Sequence, residues 1–115
     1  MMMLREIVEK LGLKVLCCDN KLDEPVTGGY AGDLLSNVIA QSKHGDIWIT
    51  MQSHANIIAV GVLKELSAII VAQGREPDAE TIRRATVEKL PLLLSKNSTF
   101  QIVGKLYELG IRPNE

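Results

Sequence analysis

The sequence predicts an α/β fold in which a mainly parallel sheet of about five strands lies between two layers of helices. Residues 47–50, Ile-Trp-Ile-Thr, form a short apolar and β-branched run, which is typical of a strand buried on both faces. A helix with almost no charge follows, capped by Ser53 and extending to about Leu66. Residues 67–72 then repeat the strand pattern. A strand, a helix and a strand in so short a stretch indicate a right-handed crossover between parallel strands.

The elements before this crossover unit follow from periodicity and turn residues. Apolar residues at helical spacing predict a first helix over residues 3–11, ended by Gly12. Residues 13–17 are predicted to form a strand, and residues 26–30 a second strand weakened by glycine. A helix opened by Gly32 or Asp33 is expected to end near Ser42.

The elements after the crossover unit carry clear capping signals. Asp78 is predicted to cap a helix with a charged outer face, and residues 91–94 form a short final strand. Ser98 and Gln101 match a capping box at the start of the last helix. Gly110 and Ile111 fit the Schellman motif at its end. These elements predict a single three-layer αβα domain over residues 1–115.

Composition excludes several classes of function. The 115 residues are 46% hydrophobic and 23% charged, the net charge is −1 and the pI is near 6.1, so no basic surface for nucleic acid is expected. Residues 57–63 are too few to span a membrane, and Arg5 and Glu6 interrupt any signal sequence. Cys17 and Cys18 are adjacent, which fits two reduced thiols and no common zinc motif. We therefore expect a cytoplasmic protein without membrane, nucleic acid, metal or cofactor.

Loops after parallel strands open at the same edge of a sheet, where ligands usually bind. We predict that the residues binding a nucleotide or another anion there are Ser53, His54, Asn56, Gly74, Thr27 and Gly28. Helix N-termini at that edge would add free N–H groups and partial positive charge. In the alternative interpretation, the serines only cap helices and the glycines only serve tight turns.

No pattern of catalytic residues stands out. His54 lies in a polar turn, but no Ser–His–Asp or Cys–His spacing supports a nucleophilic role for it. The GxxxxGK[ST] phosphate loop is absent, and residues 28–32 are glycine-rich without the GxGxxG spacing. We therefore predict that the chain is not an enzyme.

The central helix is apolar most of the way round, which indicates burial on two sides. We predict a two-fold homodimer through its second side, with the interface residues Ile57, Val60, Gly61 and Lys64. The alternative is that the C-terminal helix covers this side within one chain.

The segments TMQSHANIIAV, SAIIVAQG, PLLLS and STFQIVGKLYELGI resemble, in this order, the DRTGG domain over nearly the whole chain. That domain occurs in the N-terminal part of HPr kinase/phosphorylase, in some phosphotransacetylases and between the CBS domains of some pyrophosphatases. The chain is most similar to small stand-alone members, which are often encoded near iron-only hydrogenase genes. The Asp-Arg of the family name would fall on Ser53-His54, and its Thr-Gly-Gly on residues 72–74, of which Gly74 matches.

The resemblance implies an HPr kinase-like regulatory module that acts on a partner enzyme, in control of an iron hydrogenase or of carbon metabolism. A second hypothesis is a sensor that binds a nucleotide or another phosphate compound at the carboxyl edge of the sheet.

Overall fold

The computed structural model describes residues 2–114. The strands are β1 (Met2–Met3), β2 (Lys14–Cys17), β3 (Pro25–Val26), β4 (Gly28–Ala31), β5 (Asp46–Thr50), β6 (Ala68–Val71) and β7 (Leu92–Leu94). The α-helices are α1 (Leu4–Leu11), α2 (Leu35–Gln41), α3 (Asn56–Leu63), α4 (Ala79–Glu88) and α5 (Thr99–Glu108), and Asp19–Lys21 forms a short 3₁₀ turn. In the part of the chain described, no helix is long and apolar enough to cross a bilayer.

The main sheet has five strands in the order β2-β7-β6-β5-β4. The strands β4 to β7 are mutually parallel, and β2 runs antiparallel to β7 at one edge. This arrangement confirms the predicted α/β fold with a mainly parallel sheet. The predicted strand over residues 26–30 is split in two, because Pro25–Val26 pairs with β1 in a separate two-stranded sheet.

Side chains alternate between the two faces of the main sheet and divide the core into two clusters. Ile47 and Ile49 point to the side covered by α1 and α5. Trp48, between them in sequence, points to the side covered by α2, α3 and α4. Its indole N–H donates to the Gly32 carbonyl at 2.8 Å, so the buried polar group of this side chain is satisfied.

Four of the predicted helix caps are confirmed. Gly12 ends α1 in the left-handed conformation, and the Asp78 side chain accepts from the Thr81 N–H at the start of α4. Ser98 and Gln101 form both hydrogen bonds of the capping box at α5. After α5, the N–H groups of Gly110 and Ile111 donate to the carbonyls of Tyr107 and Leu106, which is the Schellman pattern.

Two other predicted caps are wrong. Ser53 does not cap α3, which begins after Ala55 without a side-chain cap. Asp33 does not cap α2, because its carboxylate accepts instead from residues at the end of β5. The helix α3 also ends earlier than predicted, because Glu65 adopts a left-handed conformation with φ of 53° and the Leu66 N–H turns back to the Gly61 carbonyl.

The residues predicted at a dimer interface lie mostly inside the chain. Ile57 is completely buried and Val60 is 7% exposed, and both belong to the cluster under α2, α3 and α4. A methyl group on Gly61 would lie 2.5 Å from Cδ2 of Leu90, so this glycine is closely packed. Lys64 follows α3 and is half-buried. The assignment of the Ile57, Val60 and Gly61 face to an interface is therefore wrong.

The alternative assignment, in which the C-terminal helix covers this face, is also wrong. The face packs on the sheet beside α4, whereas α5 lies on the other side of the sheet. The exposed residues of α3 are Asn56 at its start and the apolar Ala59, Val62 and Leu63, with Val62 41% and Leu63 65% exposed.

Candidate functional site

The carboxyl ends of the four parallel strands form one edge of the sheet, which we call the carboxyl edge. The strands end there at Ala31, Thr50, Val71 and Leu94. Ser53, His54 and Asn56 follow β5, and Gly74 follows β6, so these four predicted ligand-binding residues lie at the same edge.

Thr27 and Gly28 do not lie with them. Gly28 is the first residue of β4 and pairs with Asp46, the first residue of β5, so both predicted residues lie at the opposite, amino edge. The Asn114 side-chain amide donates there to Thr27 Oγ1 at 3.0 Å and to Asp46 Oδ1 at 2.7 Å. The prediction that Thr27 and Gly28 belong to the carboxyl-edge site is therefore wrong.

Backbone hydrogen bonds join the loops of the carboxyl edge to one another. The Gln73 N–H donates to the Asn97 carbonyl at 2.8 Å, and the Gly74 N–H donates to the Ser95 carbonyl at 2.7 Å. Gln73 and Gly74 both have positive φ angles, 61° and 64°, which turn the chain sharply after β6. The Arg75 side chain then reaches the Met51 carbonyl at 2.9 Å. The loops after β5, β6 and β7 therefore form one connected surface.

Asp33 is a carboxyl-edge residue that the sequence interpretation missed as part of the site. Its carboxylate accepts from the Thr50 hydroxyl at 2.8 Å and from the Met51 N–H at 2.7 Å. The Gln52 side chain donates to the Asp33 carbonyl at 3.1 Å. The sequence signal for this role was the position of Asp33 shortly after β4, but the residue was interpreted only as a helix cap.

A second group of polar contacts joins the loop after β5 to the start of α4. The buried Thr81 hydroxyl lies 2.9 Å from the Ser53 carbonyl and 2.8 Å from Asp78 Oδ1. The Thr81 backbone N–H, followed by its hydroxyl and to a smaller extent by nearby His54, holds the pKa of Asp78 below its usual value. The side chains of His54 and Asn56 are exposed and make no hydrogen bond within residues 2–114. Among the predicted site residues after β5, these two are exposed, whereas Ser53 is half-buried.

The two thiols lie away from this edge, at the end of β2. Cys17 Sγ and Cys18 Sγ are 3.1 Å apart, and they approach the carbonyls of Leu90 and Ala85 at 3.5 and 3.6 Å. Burial, followed by the contact with Cys17, raises the pKa of Cys18 to about 12. Cys18 is therefore a neutral thiol at pH 7, and it does not meet the description of an activated nucleophile. Within the described residues, no three His, Cys, Asp or Glu side chains converge in a cluster suited to a metal.

Two concavities on the surface of the described residues lie apart from the loops after β5, β6 and β7. One has a volume of about 390 Å³, lies at the amino edge and includes Thr27 and His44. The other has a volume of about 440 Å³ and lies between β4, α5 and the segment that follows α5. We call the second one the β4–α5 groove.

The architecture and the arrangement of loops define an αβα domain of the kind that binds ligands or partners at a sheet edge. The family model of the DRTGG domain matches residues 6–109, so the chain belongs to the DRTGG domain family. No functionally curated protein matches the chain.

Among solved structures, the chain is similar to the CBS and DRTGG domains of the regulatory region of Clostridium perfringens pyrophosphatase, complexed with the activator diadenosine tetraphosphate. The TM-score is 0.70 at 17% identity, and the match covers 90% of this chain and 45% of that one. The chain thus spans less than half of that regulatory region, and the likeness supports the three-layer fold.

Proposed function

We propose that the chain is a regulatory module without catalytic activity of its own, which acts by binding other protein subunits. The observation that carries this proposal is the exposed apolar surface of α3. From Ile57 to Leu63 this helix contains no polar side chain, and its outer residues Ala59, Val62 and Leu63 are exposed. The neighbouring α2 region adds Leu34, 69% exposed, and Ile39, 39% exposed. Exposed apolar residues on neighbouring helices are characteristic of protein–protein contacts when they form one surface.

We name this region the α2–α3 surface, defined by Leu34, Ile39, Ala59, Val62 and Leu63. The proposed first partner is a second copy of the chain, which would form a two-fold homodimer by placing the same apolar surface of both copies in contact. This location replaces the inner face of α3, which is buried against the sheet.

The test of the homodimer is the molar mass of the purified protein by size exclusion with light scattering. We expect a dimer for the wild type and a monomer for Leu63→Asp, because a carboxylate at the centre of an apolar interface loses its hydration. The matched control is Phe100→Asp, which changes an apolar residue that is 89% exposed on the other side of the sheet. A monomeric wild type, or a Leu63→Asp variant that remains dimeric, would remove the homodimer.

The proposed target of regulation is a partner enzyme. The solved structure with the same fold is part of the regulatory region of an enzyme, which supports this role. The resemblance to stand-alone family members suggests an iron hydrogenase or an enzyme of carbon metabolism as the first to test. The measurement is the rate of the candidate enzyme with and without the wild-type chain, and Leu63→Asp shows whether the α2–α3 surface is used.

A second candidate function is sensing of a nucleotide or another anion at the carboxyl edge, by Ser53, His54, Asn56 and Gly74. Two observations favour it: His54 and Asn56 are exposed without a hydrogen-bond partner in residues 2–114, and the similar pyrophosphatase region is complexed with diadenosine tetraphosphate.

The sensor is tested by thermal unfolding with nucleotides and phosphorylated metabolites. A ligand at a hundred times its Kd stabilises the native state by about 2.7 kcal/mol, which raises the midpoint by several degrees in a domain of this size. We expect His54→Ala to abolish the shift and the control His44→Ala, an exposed loop histidine, to retain it. An unchanged shift in His54→Ala would exclude His54 from the site.

A further inference from the structure

The β4–α5 groove exists because two helices do not cover all five strands on their side of the sheet. The helix α5 packs against β5, next to the edge strand β4. On β4, Gly29 and Ala31 pair with Ile47 and Ile49, so these two small residues share the α1 and α5 side of the sheet. A methyl group on Gly29 would make ordinary contact with Cγ2 of Ile111 at 3.5 Å, so the segment after α5 covers Gly29, whereas Ala31 is exposed. Small side chains on an edge strand that the helices leave uncovered thus leave a concavity of about 440 Å³.

The interior of the groove is apolar and already ordered. Ile49, Leu106 and Ile111 line it, and they are 2%, 3% and 6% exposed. They also belong to the hydrophobic core, so their positions are fixed by packing on both sides. A volume of this size and an apolar lining that is largely formed in advance are the usual properties of small-molecule sites.

The rim of the groove carries two cationic side chains, and the buried Asp46 carboxylate beside it already accepts from the Lys43 N–H and the Asn114 amide. Lys43 and Arg112 both line the groove, and no Asp or Glu is among its lining residues within the described chain. Neither cation takes part in an ion pair in residues 2–114. An apolar concavity with two unpaired cations at its rim is complementary to an organic anion.

Arg112 is held in place before any ligand arrives. Its guanidinium carbon lies 4.5 Å from the centroid of the Tyr107 ring, and Nη1 donates to the Tyr107 carbonyl at 2.6 Å. The other donors, Nε and Nη2, have no hydrogen-bond partner in the described residues. A stacked guanidinium with free donors is suited to bind a carboxylate, sulfonate or phosphate group.

We propose that the β4–α5 groove is a binding site for a small organic anion that has a flat apolar body and one acidic group. The apolar body lies over the floor formed by Ile49, Leu106 and Ile111 and contacts the more exposed Ala31 and Val103. The acidic group is bound by Arg112 with additional attraction from Lys43. None of its lining residues belongs to the proposed nucleotide site or to the α2–α3 surface, so the groove stands independently of the function proposed above.

The probe for this site is 8-anilinonaphthalene-1-sulfonate, which combines a fused aromatic body with a single anionic group. Fluorescence titration of the wild type should show one saturable site with Kd on the order of 10 to 100 µM. Raising the salt concentration should weaken binding, because the rim cations are exposed. N-phenyl-1-naphthylamine, which lacks the sulfonate, serves as the uncharged control and should bind less tightly.

Four variants locate the probe. We expect Arg112→Ala and Lys43→Ala to raise the Kd for the sulfonate, by about tenfold for the arginine, and to leave the Kd for the uncharged analogue unchanged. Ala31→Trp should abolish binding of both, because the indole fills the groove. Arg84→Ala, at an exposed arginine on α4, is the matched control and should change nothing. Circular dichroism shows which variants are folded. If Arg112→Ala destabilises the end of α5, Lys43→Ala still tests the contribution of the rim cations.

Amide chemical shifts complete the test, with the largest changes expected at Gly29, Ala31 and Val103. Absence of saturable binding would overturn the proposal, as would a Kd that neither the rim variants nor Ala31→Trp alters. Loss of binding in Leu63→Asp with normal binding in Arg112→Ala would place the probe on the α2–α3 surface and would also overturn the proposal. If light scattering shows that the wild type is a monomer, the homodimer proposal is rejected, but the result for the β4–α5 groove stands.

Discussion

The two sides of the main sheet are covered to different extents. Three helices, α2, α3 and α4, lie on the side of Trp48, and two, α1 and α5, lie on the side of Ile47 and Ile49. On the three-helix side, packing extends to the edge strand, since Tyr30 of β4 packs against the core cluster. On the two-helix side, the surface of β4 remains open and forms the β4–α5 groove. The number of helices per side therefore decides where the sheet is left open.

The comparison also explains the distribution of exposed apolar residues. The three-helix side buries the inner face of α3 and leaves Val62 and Leu63 on its outer face. The two-helix side leaves Phe100, 89% exposed, and Tyr107, 45% exposed, on the outside of α5, and it also has the concavity beside β4. A convex apolar surface suits another protein, and a concave one suits a small ligand.

The largest expected effect contrasts the two faces of α3. Ile57→Asp places a carboxylate in the core without a partner, and we expect it to lower the free energy of unfolding by more than about 4 kcal/mol. Leu63→Asp, on the exposed face, should lower the free energy of unfolding of the monomer by less than about 0.5 kcal/mol. Urea unfolding followed by circular dichroism measures both. Equal losses in the two variants would contradict the face assignment.

A smaller effect contrasts one glycine from each side of the sheet. A methyl group on Gly61 would lie 2.5 Å from Cδ2 of Leu90, whereas one on Gly29 would meet nothing closer than 3.5 Å. We expect Gly61→Ala to cost about 1–2 kcal/mol, since overpacking outweighs the gain in helix propensity.

Gly29→Ala should be neutral or should stabilise the protein by up to about 1 kcal/mol, because alanine restricts the unfolded chain. Both variants can be compared by denaturant midpoints at constant m-value. A Gly29→Ala variant that is less stable than Gly61→Ala would show that the two-helix side is packed as tightly as the other.

The smallest expected effect is a loss of stability at alkaline pH, caused by Cys18. This residue follows Cys17, which packs against the core cluster at the edge of the three-helix side. Burial raises the pKa of Cys18 from its ordinary value of 9.0 to about 12. The unfolded chain therefore loses this proton at lower pH than the folded chain, and stability decreases as the pH rises from about 9 towards 12.

Below pH 8 this group should have no effect on the thermal midpoint. Midpoints measured from pH 7 to pH 10.5 for the wild type and Cys18→Ala give the test. We expect the decrease above pH 9 to be smaller in the variant, and parallel curves would exclude Cys18 as its source.

Most of the fold followed from local patterns in the sequence. The strands β5 and β6 are continuous apolar runs, and Gly12, Asp78, Ser98 and Gly110 are capping residues whose side chain or conformation is specific to helix ends. These signals act over a few residues, so they can be recognised without the tertiary structure.

The errors concern features that depend on packing. Because α3 is apolar on every face, its sequence does not indicate which face meets the sheet, and the prediction chose the wrong one. Thr27 and Gly28 were assigned to the carboxyl edge because residues 26–30 were interpreted as the end of a strand, whereas β4 begins at Gly28. Asp33 and the β4–α5 groove depend on contacts between residues distant in sequence, which periodicity does not reveal.

The position of β2 in the sheet has a consequence for how the domain folds. From β4 to β7, strands that are neighbours along the chain are neighbours in the sheet, whereas β2 pairs with β7, which lies far from it in sequence. Pairing β2 with β7 therefore closes a much longer loop than any other pairing in this sheet, and long-range pairing is slow because of its entropy cost. We expect β4 to β7 to form the early folding unit and β2 to join last. In pulsed hydrogen exchange during refolding, the amides of β5 and β6 would then gain protection before those of β2.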